Sequence, residues 1–379
     1  MAPRYLYNWI EEDLNERMVF IGGPRQVGKT TLSLDVLADP RREQASTYLN
    51  WDLLADREKI LTDRLPVDQP RIVLDEIHKF ADWRRLVKGI YDKNRSSLSV
   101  IVTGSARLDH YRKGGDSLQG RYNYYRLHPF SIPEWDSACS EKSQQLLLKF
   151  GGFPEPLTKA TERFHRRWQR EMFARVLNED LRELENVQES SRLELLLAHL
   201  PECVGSPLSV NQLRKLLQVA HSSVERWLTI FENLYLTFRI SPYGTSRIRA
   251  VKKEQKLYFR DWSRVSDPGA RFENMAACHL LKYCDFIEDT QGHHMELRYL
   301  RDTDAREVDF VVLRDGKPEF AVECKCGDRE LSPACAYFRE RSDIPEFYQV
   351  HLESETYGNP ASGTQALPFH TFCHLKKLP

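Results

Sequence analysis

The segment Gly23-Pro24-Arg25-Gln26-Val27-Gly28-Lys29-Thr30 constrains the fold more than any other feature of the chain. It follows a short apolar run and precedes a helical pattern that begins at Thr31. In that context the glycines let main-chain N–H groups surround phosphate oxygens, and the helix N-terminus adds the positive end of its dipole. The segment therefore predicts a phosphate-binding loop, in which Lys29 reaches the β- and γ-phosphates and the Thr30 hydroxyl binds Mg²⁺. The alternative is a glycine-rich turn without a ligand.

A second apolar run ends in two adjacent carboxylates, Asp75 and Glu76. We expect Asp75 to hold the coordination shell of Mg²⁺ and Glu76 to orient or deprotonate the attacking water. A glutamate directly after the aspartate favours hydrolysis by water over transfer to a substrate hydroxyl. The alternative is that the two acids cap the next helix.

Short apolar runs alternate with helical patterns over the first 150 residues, as they do in βα units. Continuous runs are typical of strands covered on both faces, so the pattern predicts an α/β core with a parallel sheet between helices. The five candidate strands are 18–22, 47–50, 71–75, 99–103 and 124–127.

Two further positions lie where the nucleotide or a neighbouring subunit could be reached. Thr103 ends the fourth candidate strand, where a polar side chain could sense the nucleotide, although a simple turn also explains the glycine and serine that follow it. Arg121 follows a helical pattern over 107–119 and precedes the fifth strand. We expect it to be an arginine finger presented to a neighbouring subunit, and the alternative is an exposed surface arginine.

Five segments together resemble the AAA+ ATPase superfamily, specifically a bacterial and archaeal group with a C-terminal domain of unknown function. They are GPRQVGKTTL, LDEIHKFADWRRLVKGIYD, TGSARL, LQGRYNYYRLHPFSIPEW and GGFPEP. The resemblance implies ATP and Mg²⁺ as cofactors, and it makes a homo-oligomer plausible. It also implies that residues 23–31, which include Thr31, and Thr103 bind the nucleotide. Thr103 stands where many relatives in the wider superfamily have asparagine.

The strongest interruption of the pattern is Gly151-Gly152-Phe153-Pro154-Glu155-Pro156, and we place the first domain boundary there. The predicted domains are 1–155, 156–265 and 266–379. A charged helical pattern over 162–189 is followed by three helices, 193–203, 210–217 and 222–234, and by two extended segments, 235–242 and 256–260. Three helices and a hairpin of this size predict a winged helix.

The hairpin of the winged helix carries a basic stretch, which we call the basic wing. A basic wing could straddle a DNA backbone, and binding would then depend on salt. The alternatives are a solvated charged loop and a winged helix that contacts protein. The residues of the basic wing are Arg247, Arg249, Lys252, Lys253 and Lys256.

The C-terminal region pairs carboxylates on neighbouring strands. The candidate strands 307–313 and 319–326 are joined by an Asp-Gly turn, which predicts a hairpin. Strand alternation places Glu323 and Lys325 on one face, and Asp309 can lie beside Glu323. Two carboxylates that hold Mg²⁺ and a lysine that polarises a phosphate or water suit metal-assisted phosphodiester hydrolysis. Glu273, on the preceding helix over 270–283, can supply another metal ligand.

These positions resemble the core of the PD-(D/E)xK nucleases, with Glu273 on a helix, Asp309 on a strand, and Glu323-x-Lys325 on the next. All four positions are filled, although the family comparison suggests that many such domains fused to ATPases have no established nuclease activity. The alternative is a surface hairpin whose glutamate and lysine form a weak ion pair.

Composition narrows the possible classes of protein. Lys and Arg number 55 and so do Asp and Glu, so the net charge is zero and a nucleic-acid or lipid partner would need a local patch. No apolar run approaches the roughly 20 residues of a membrane span, and we expect neither a signal peptide nor a membrane partner. Eight scattered cysteines favour reduced thiols in a cytoplasm.

Two functions remain open from the sequence. In the first, an ATPase gates a DNA-directed, metal-dependent nuclease. In the second, a nucleotide-controlled signalling or assembly switch uses its C-terminal domain as a non-catalytic binding platform.

Overall fold

The computed structural model describes residues 4–66, 68–95, 97–104, 118–176, 190–244, 254–327, 330–359 and 364–379. These divide into two compact units. The first contains the chain up to His128 together with Asn233–Tyr235, and the second contains Pro129–Glu232 and Leu236–Pro379.

A parallel five-stranded sheet forms the centre of the first unit, in the order β2-β3-β4-β1-β5. Its strands are Met18–Gly22 (β1), Tyr48–Asn50 (β2), Arg71–Asp75 (β3), Ser99–Gly104 (β4) and Tyr122–Arg126 (β5). The helices of this unit are Tyr7–Asp13 (α1), Lys29–Leu37 (α2), Leu54–Leu61 (α3) and Trp83–Asn94 (α4).

The three central strands of this sheet are buried almost throughout, which explains their continuous apolar sequences. Every residue of β1 is buried, and in β3 and β4 only the first residue is partly exposed. Helix α4 shows why the helical pattern was recognisable, because Trp83, Val87, Ile90 and Tyr91 recur at helical spacing and are all buried. The predicted parallel sheet between helices is confirmed.

An eight-stranded mixed sheet forms the second unit, in the order β12-β13-β11-β10-β9-β8-β6-β7. Its strands are Thr237–Pro242 (β6), Lys256–Phe259 (β7), Met295–Arg301 (β8), Glu307–Arg314 (β9), Lys317–Lys325 (β10), Phe347–His351 (β11), Tyr357–Asn359 (β12) and Thr364–Pro368 (β13). Its helices are Ile132–Trp135 (α5), Glu141–Phe150 (α6), Pro154–Lys159 (α7), Glu162–Arg175 (α8), Ser190–His199 (α9), Val210–Leu217 (α10), His221–Asn233 (α11), Pro268–Gln291 (α12), Pro333–Arg339 (α13) and Phe369–Leu375 (α14).

Helix α12 is much longer than the sequence pattern predicts, and its two ends are chemically defined. Asp267 accepts a hydrogen bond from the N–H of Ala270 at 2.8 Å, and Pro268 follows in the first turn. The helix ends at Gly292, whose φ of 75° is left-handed. These caps fix the helix that carries Glu273.

The turn between β9 and β10 has the predicted hairpin geometry. Asp315 and Gly316 both have positive φ, at 50° and 76°, as an Asp-Gly turn between antiparallel strands requires. The hairpin therefore brings Asp309 on β9 and Glu323 on β10 onto paired strands.

The predicted domains 156–265 and 266–379 share one sheet. Strand β6 pairs with β7 on one side and, in parallel, with β8 on the other, where Ser241 lies opposite Arg298. Strand β6 lies before the predicted boundary and β8 lies after it. A boundary read from turn residues cannot reveal such a pairing, because the partners are more than 50 residues apart.

Some sequence predictions lie outside the described residues. They are the helical pattern over 107–119 for all but its last two residues, the end of the charged helix over 177–189, and Arg247, Arg249, Lys252 and Lys253 of the basic wing. Among the helices that the structure describes, none has the length and apolar character needed to span a bilayer.

Candidate functional site

The phosphate loop connects the end of β1 with the start of α2, as predicted. Three of its residues have positive φ: Gly23 at 154°, Gln26 at 59° and Gly28 at 100°. Gly23 also needs to be glycine for space, because a Cβ atom there would lie 2.4 Å from the carbonyl oxygen of Leu127. The loop conformation therefore depends on the glycines that the motif supplies.

Lys29 is buried against the loop itself. Its Nζ donates to the carbonyl oxygen of Gly23 at 2.9 Å and to that of Pro24 at 2.8 Å. The ammonium group thus lies at the point around which the loop turns, where a phosphate would meet it.

The carboxylate of Asp75 lies at the centre of a cluster of hydroxyl groups. Its Oδ2 accepts hydrogen bonds from the hydroxyl of Thr30 at 3.0 Å and of Tyr48 at 2.7 Å. Its Oδ1 accepts one from the hydroxyl of Thr103. The structure therefore brings Thr30 and Asp75 together as predicted, and it places Thr103 on the same carboxylate.

This set of oxygens fits Mg²⁺. A carboxylate and a hydroxyl are hard ligands of the kind that magnesium prefers, and nucleotide phosphates and water complete such sites. Asp75 is 4% exposed, and among the described residues its hydrogen-bond donors are neutral hydroxyls. Its negative charge is therefore suited to a cation supplied with the nucleotide.

Glu76 has an unusual backbone and an unusual acidity. Its φ of 56° is left-handed, a conformation that is uncommon for non-glycine residues, and its N–H donates to the carbonyl oxygen of Thr103 at 3.1 Å. Burial raises the pKa of the Glu76 carboxyl to about 7. The Nε2 of His78 lies 3.7 Å from the Glu76 carboxylate, and burial lowers the pKa of His78 to about 3, so the imidazole is neutral.

The remaining loop residues have different environments. Val27 is fully buried, Arg25 is partly exposed, and Gln26 and Thr31 are exposed. Arg4, which sequence reasoning missed, donates to the carbonyl oxygens of Val27 and His128 at 2.6 Å each. Arg4 therefore ties the main chain of the loop at Val27 to that at His128.

Arg121 lies at the end of the sheet opposite to the phosphate loop. It directly precedes β5, which runs parallel to β1. Arg121 therefore lies at the amino ends of these two strands, whereas the phosphate loop follows the carboxyl end of β1. A strand of five residues separates these two ends by about 16 Å. The guanidinium Nε is 2.8 Å from Asp92 Oδ1. Arg121 is therefore remote from the phosphate loop of its own chain.

The structure also brings together the four predicted residues of the C-terminal region. The β9–β10 register pairs Phe310 with Val322 and so places Asp309 beside Glu323. Asp309 Oδ2 accepts the N–H of Cys324 at 2.8 Å, and Lys325 Nζ lies 2.9 Å from Glu323 Oε1. Burial raises the pKa values of Glu323 and Glu273 to about 7 and also raises that of Asp309.

The prediction that Lys256 belongs to the basic wing is wrong. Lys256 is 0% exposed at the start of β7, and its Nζ lies 3.0 Å from Glu273, 3.5 Å from Asp309, and in contact with Glu307. Burial lowers the pKa of Lys256, but the three carboxylates raise it by more, so the net shift is upward. We call Lys256, Glu273, Glu307 and Asp309 the lysine cluster.

Sequence reasoning missed the lysine cluster, although a signal was present. Lys256 and Tyr258 are two residues apart on one strand, as Glu307 and Asp309 are on another, so each pair faces one side of its strand. Tyr258 donates its hydroxyl to Glu273 at 2.7 Å. The local density of basic residues predicts instead that Lys256 belongs to an exposed basic wing.

The lysine cluster does not fit a divalent metal ion as it stands. In the described part of the chain, no group of three or more His, Cys, Asp or Glu side chains is arranged to hold a metal. The ammonium group of Lys256 lies between Glu273 and Asp309, two of the three residues predicted as ligands.

Comparison with protein families divides the chain into three segments. Residues 15–135 match the AAA domain. This segment is therefore similar to AAA domains. Residues 141–265 and 268–372 match two domains of unknown function, DUF8612 and DUF4143. Each match covers less than half of the chain, so each assignment applies to its own segment.

Curated relatives share the sequence at low identity. An uncharacterized protein of Mycobacterium tuberculosis, Rv2008c, is 24% identical over 246 residues, which are 64% of this chain and 54% of the relative. An uncharacterized protein of Methanocaldococcus jannaschii, MJ1637, is 24% identical over 302 residues, 66% of this chain and 62% of the relative. This chain thus spans only about half to three-fifths of the curated relatives it matches.

Two solved structures show a distant likeness. The RuvB Holliday junction branch migration motor of Thermotoga maritima is 16% identical, with a TM-score of 0.31, over 62% of this chain and 87% of that chain. C. elegans PCH-2 is 14% identical, with a TM-score of 0.25, over 59% and 68%. TM-scores this low carry no conclusion about this chain's function.

Proposed function

We propose that this protein binds ATP with Mg²⁺ at the phosphate loop and hydrolyses it. The observation that carries the proposal is the convergence of Thr30, Asp75 and Thr103 beside the Lys29 loop. Neutral hydroxyl donors around a buried carboxylate leave its charge for a cation, as a Mg²⁺–ATP site needs.

Each residue then has a defined part in hydrolysis. The loop amides and Lys29 would bind the phosphates, and Thr30 and Asp75 would hold Mg²⁺, whose charge would stabilise the β- and γ-phosphate oxygens. Glu76 in its ionised form accepts a proton from the attacking water. Its raised pKa makes it a stronger base than an ordinary glutamate.

The test is ATP hydrolysis by wild type and Lys29→Ala, with Lys142→Ala as the control because Lys142 is an exposed helical lysine. We expect hydrolysis to fall below detection in Lys29→Ala and to be unchanged in Lys142→Ala. An unchanged rate in Lys29→Ala would overturn the proposal.

We propose further that Arg121 completes the site of a neighbouring subunit in a homo-oligomer. The position of Arg121 at the amino ends of the strands supports this, since it is remote from the phosphate loop of its own chain. Mixing Arg121→Ala chains with Lys29→Ala chains tests it. Mixed oligomers contain intact sites and should regain hydrolysis, whereas a mixture as inactive as its parts would contradict action across subunits.

For the C-terminal region, we propose a non-catalytic binding platform controlled by the nucleotide state. The lysine cluster supports this role, because an ammonium group lies among the carboxylates that a nuclease would use for metal. The free thiols of all eight cysteines fit a reducing cytoplasm as the site of action.

A DNA-directed nuclease is the second candidate. The meeting of Asp309, Glu323 and Lys325 on paired strands, in the order that the PD-(D/E)xK resemblance requires, favours it. Nicking of supercoiled plasmid with Mg²⁺ or Mn²⁺ and ATP, lost in both Asp309→Ala and Lys325→Ala, would establish this candidate. Stimulation of ATP hydrolysis by DNA, lost when Arg247, Arg249, Lys252 and Lys253 become glutamates, would establish DNA contact by the basic wing.

A further inference from the structure

We propose that Lys256 is the built-in cation of the C-terminal domain, so that its ammonium group occupies the position of a divalent metal ion. The inference concerns residues remote in sequence from the phosphate loop and does not depend on ATP hydrolysis. It predicts a latent metal site that appears when the charge of Lys256 is removed.

The geometry of the ammonium group is the first support. The Nζ atom lies 3.0 Å from Glu273 Oε1 and 3.5 Å from Asp309 Oδ1, and it contacts Glu307 Oε1. The three carboxylates come from α12 and β9, whereas the lysine comes from β7. Separate elements therefore converge on one positive atom, as protein ligands converge on a metal ion.

The second support is that each of these carboxylates accepts a further hydrogen bond besides its contact with Lys256. Glu273 Oε1 also accepts the hydroxyl of Tyr258 at 2.7 Å, and Glu307 Oε2 accepts Arg301 at 2.6 Å. Asp309 Oδ2 accepts the N–H of Cys324 at 2.8 Å. A divalent ion in the same place would need these oxygens at 2.0–2.6 Å and would be repelled by the positive charge of Lys256.

The fourth carboxylate has its own ammonium partner. Glu323, the remaining predicted metal ligand, lies 2.9 Å from Lys325. Every carboxylate of the C-terminal region that we expected to bind metal therefore has a lysine within 3.5 Å. Burial explains why such partners are needed, because an unpaired buried carboxylate is costly.

Removing the charge of Lys256 should convert the lysine cluster into a metal site. Lys256→Met keeps a side chain of similar length and leaves Glu273, Glu307 and Asp309 facing the vacated position. These are hard oxygen ligands suited to Mn²⁺, Ca²⁺ or Mg²⁺.

The test measures Mn²⁺ binding to the full chain by calorimetry without nucleotide. Wild type and Asp309→Asn should give the same isotherm, because wild type holds no Mn²⁺ at Asp309. Lys256→Met should bind one additional equivalent, which the double variant Lys256→Met/Asp309→Asn loses. Lys325→Met is the matched control and should gain no equivalent.

Two results would overturn the inference. One is an equivalent of Mn²⁺ in wild type that Asp309→Asn loses, and the other is a folded Lys256→Met protein that gains none. If Lys256→Met does not fold in metal-free buffer, its thermal unfolding with and without Ca²⁺ is compared with that of wild type. Ca²⁺ should restore a cooperative transition in the variant and leave wild type unshifted, and failure to restore it counts against the inference. Loss of ATP hydrolysis in Lys29→Ala bears only on the proposed ATPase function.

Discussion

Asp75 and Asp309 are both buried or nearly buried aspartates on sheet strands, but their surroundings differ in one respect. Asp75 accepts hydrogen bonds from three neutral hydroxyl groups, whereas Asp309 shares the ammonium group of Lys256 with two further carboxylates. The hydroxyl groups around Asp75 orient its negative charge without neutralising it. The ammonium group of Lys256 offsets the negative charge of Asp309 within the protein.

This difference separates a carboxylate that is ready for a cation from one that already has it. The same residue types, two acids and a lysine, occur in both motifs, so sequence spacing alone does not distinguish them. The hydrogen-bond donors around each carboxylate distinguish the two motifs. Four measurements test this difference between Asp75 and Asp309.

The largest effect is expected at the phosphate loop. Glu76→Gln should slow ATP hydrolysis by about 100- to 10,000-fold, because the amide cannot accept the proton of the attacking water. Calorimetry should show ATP still bound, since the phosphate contacts remain. Glu58→Gln, at an exposed helical position, is the control and should hydrolyse ATP normally. A Glu76→Gln rate within twofold of wild type would remove Glu76 from the reaction.

The next effect compares stability at the two sites. Lys256→Met should lower the free energy of unfolding by about 3–5 kcal/mol, because it leaves buried carboxylates without their cation. Asp75→Asn should change it by only about 1 kcal/mol, because the amide oxygen still accepts hydroxyl donors on one side and a hydroxyl on the other side can turn to accept the amide N–H. Urea unfolding without metal or nucleotide measures both, and equal losses would mean that the two aspartates do not differ as described.

A smaller effect follows from the acidity of Glu76. With a pKa of about 7, the carboxyl is mainly protonated at pH 6 and mainly ionised at pH 8. Since the ionised form is the base, kcat should rise about tenfold from pH 6 to pH 8. The residual activity of Glu76→Gln should lack this rise. A flat wild-type profile would show that another group or step limits the rate.

The smallest effect tests the hydroxyl groups around Asp75. Tyr48→Phe removes one hydrogen bond to Oδ2 and should cost about 1 kcal/mol, seen as a several-fold increase in the Mg²⁺ concentration that half-saturates hydrolysis. Tyr91→Phe is matched, because the Tyr91 hydroxyl donates to the carbonyl oxygen of Glu16 instead. If both variants behave alike, Tyr48 has no particular role at the magnesium site.

The phosphate loop was predictable because its residues are contiguous and its strand and helix have distinct periodicities. Thr30 and Asp75 were found from the same local signals. Tyr48 was not, since its bond to Asp75 joins residues 27 positions apart and depends on β2 lying beside β3. Local sequence does not state which strands are neighbours.

The C-terminal region shows the same limit more strongly. The helix, the hairpin and the neighbouring positions of Asp309 and Glu323 followed from caps, an Asp-Gly turn and strand alternation. The sequence misplaces Lys256 because a run of basic residues predicts a single exposed surface. The pairing of β6 with both β7 and β8 places Lys256 on β7 in the same sheet as Asp309 on β9.

That pairing has a practical consequence for dividing the protein. Cutting the chain at residue 265 would separate β6 and β7 from the strands that continue their sheet, and it would strip Lys256 from its carboxylates. Each piece would present an unsatisfied strand edge, a template for aggregation. Truncated proteins that begin at Pro129 preserve the whole sheet and offer the sounder starting material for isolating the C-terminal half.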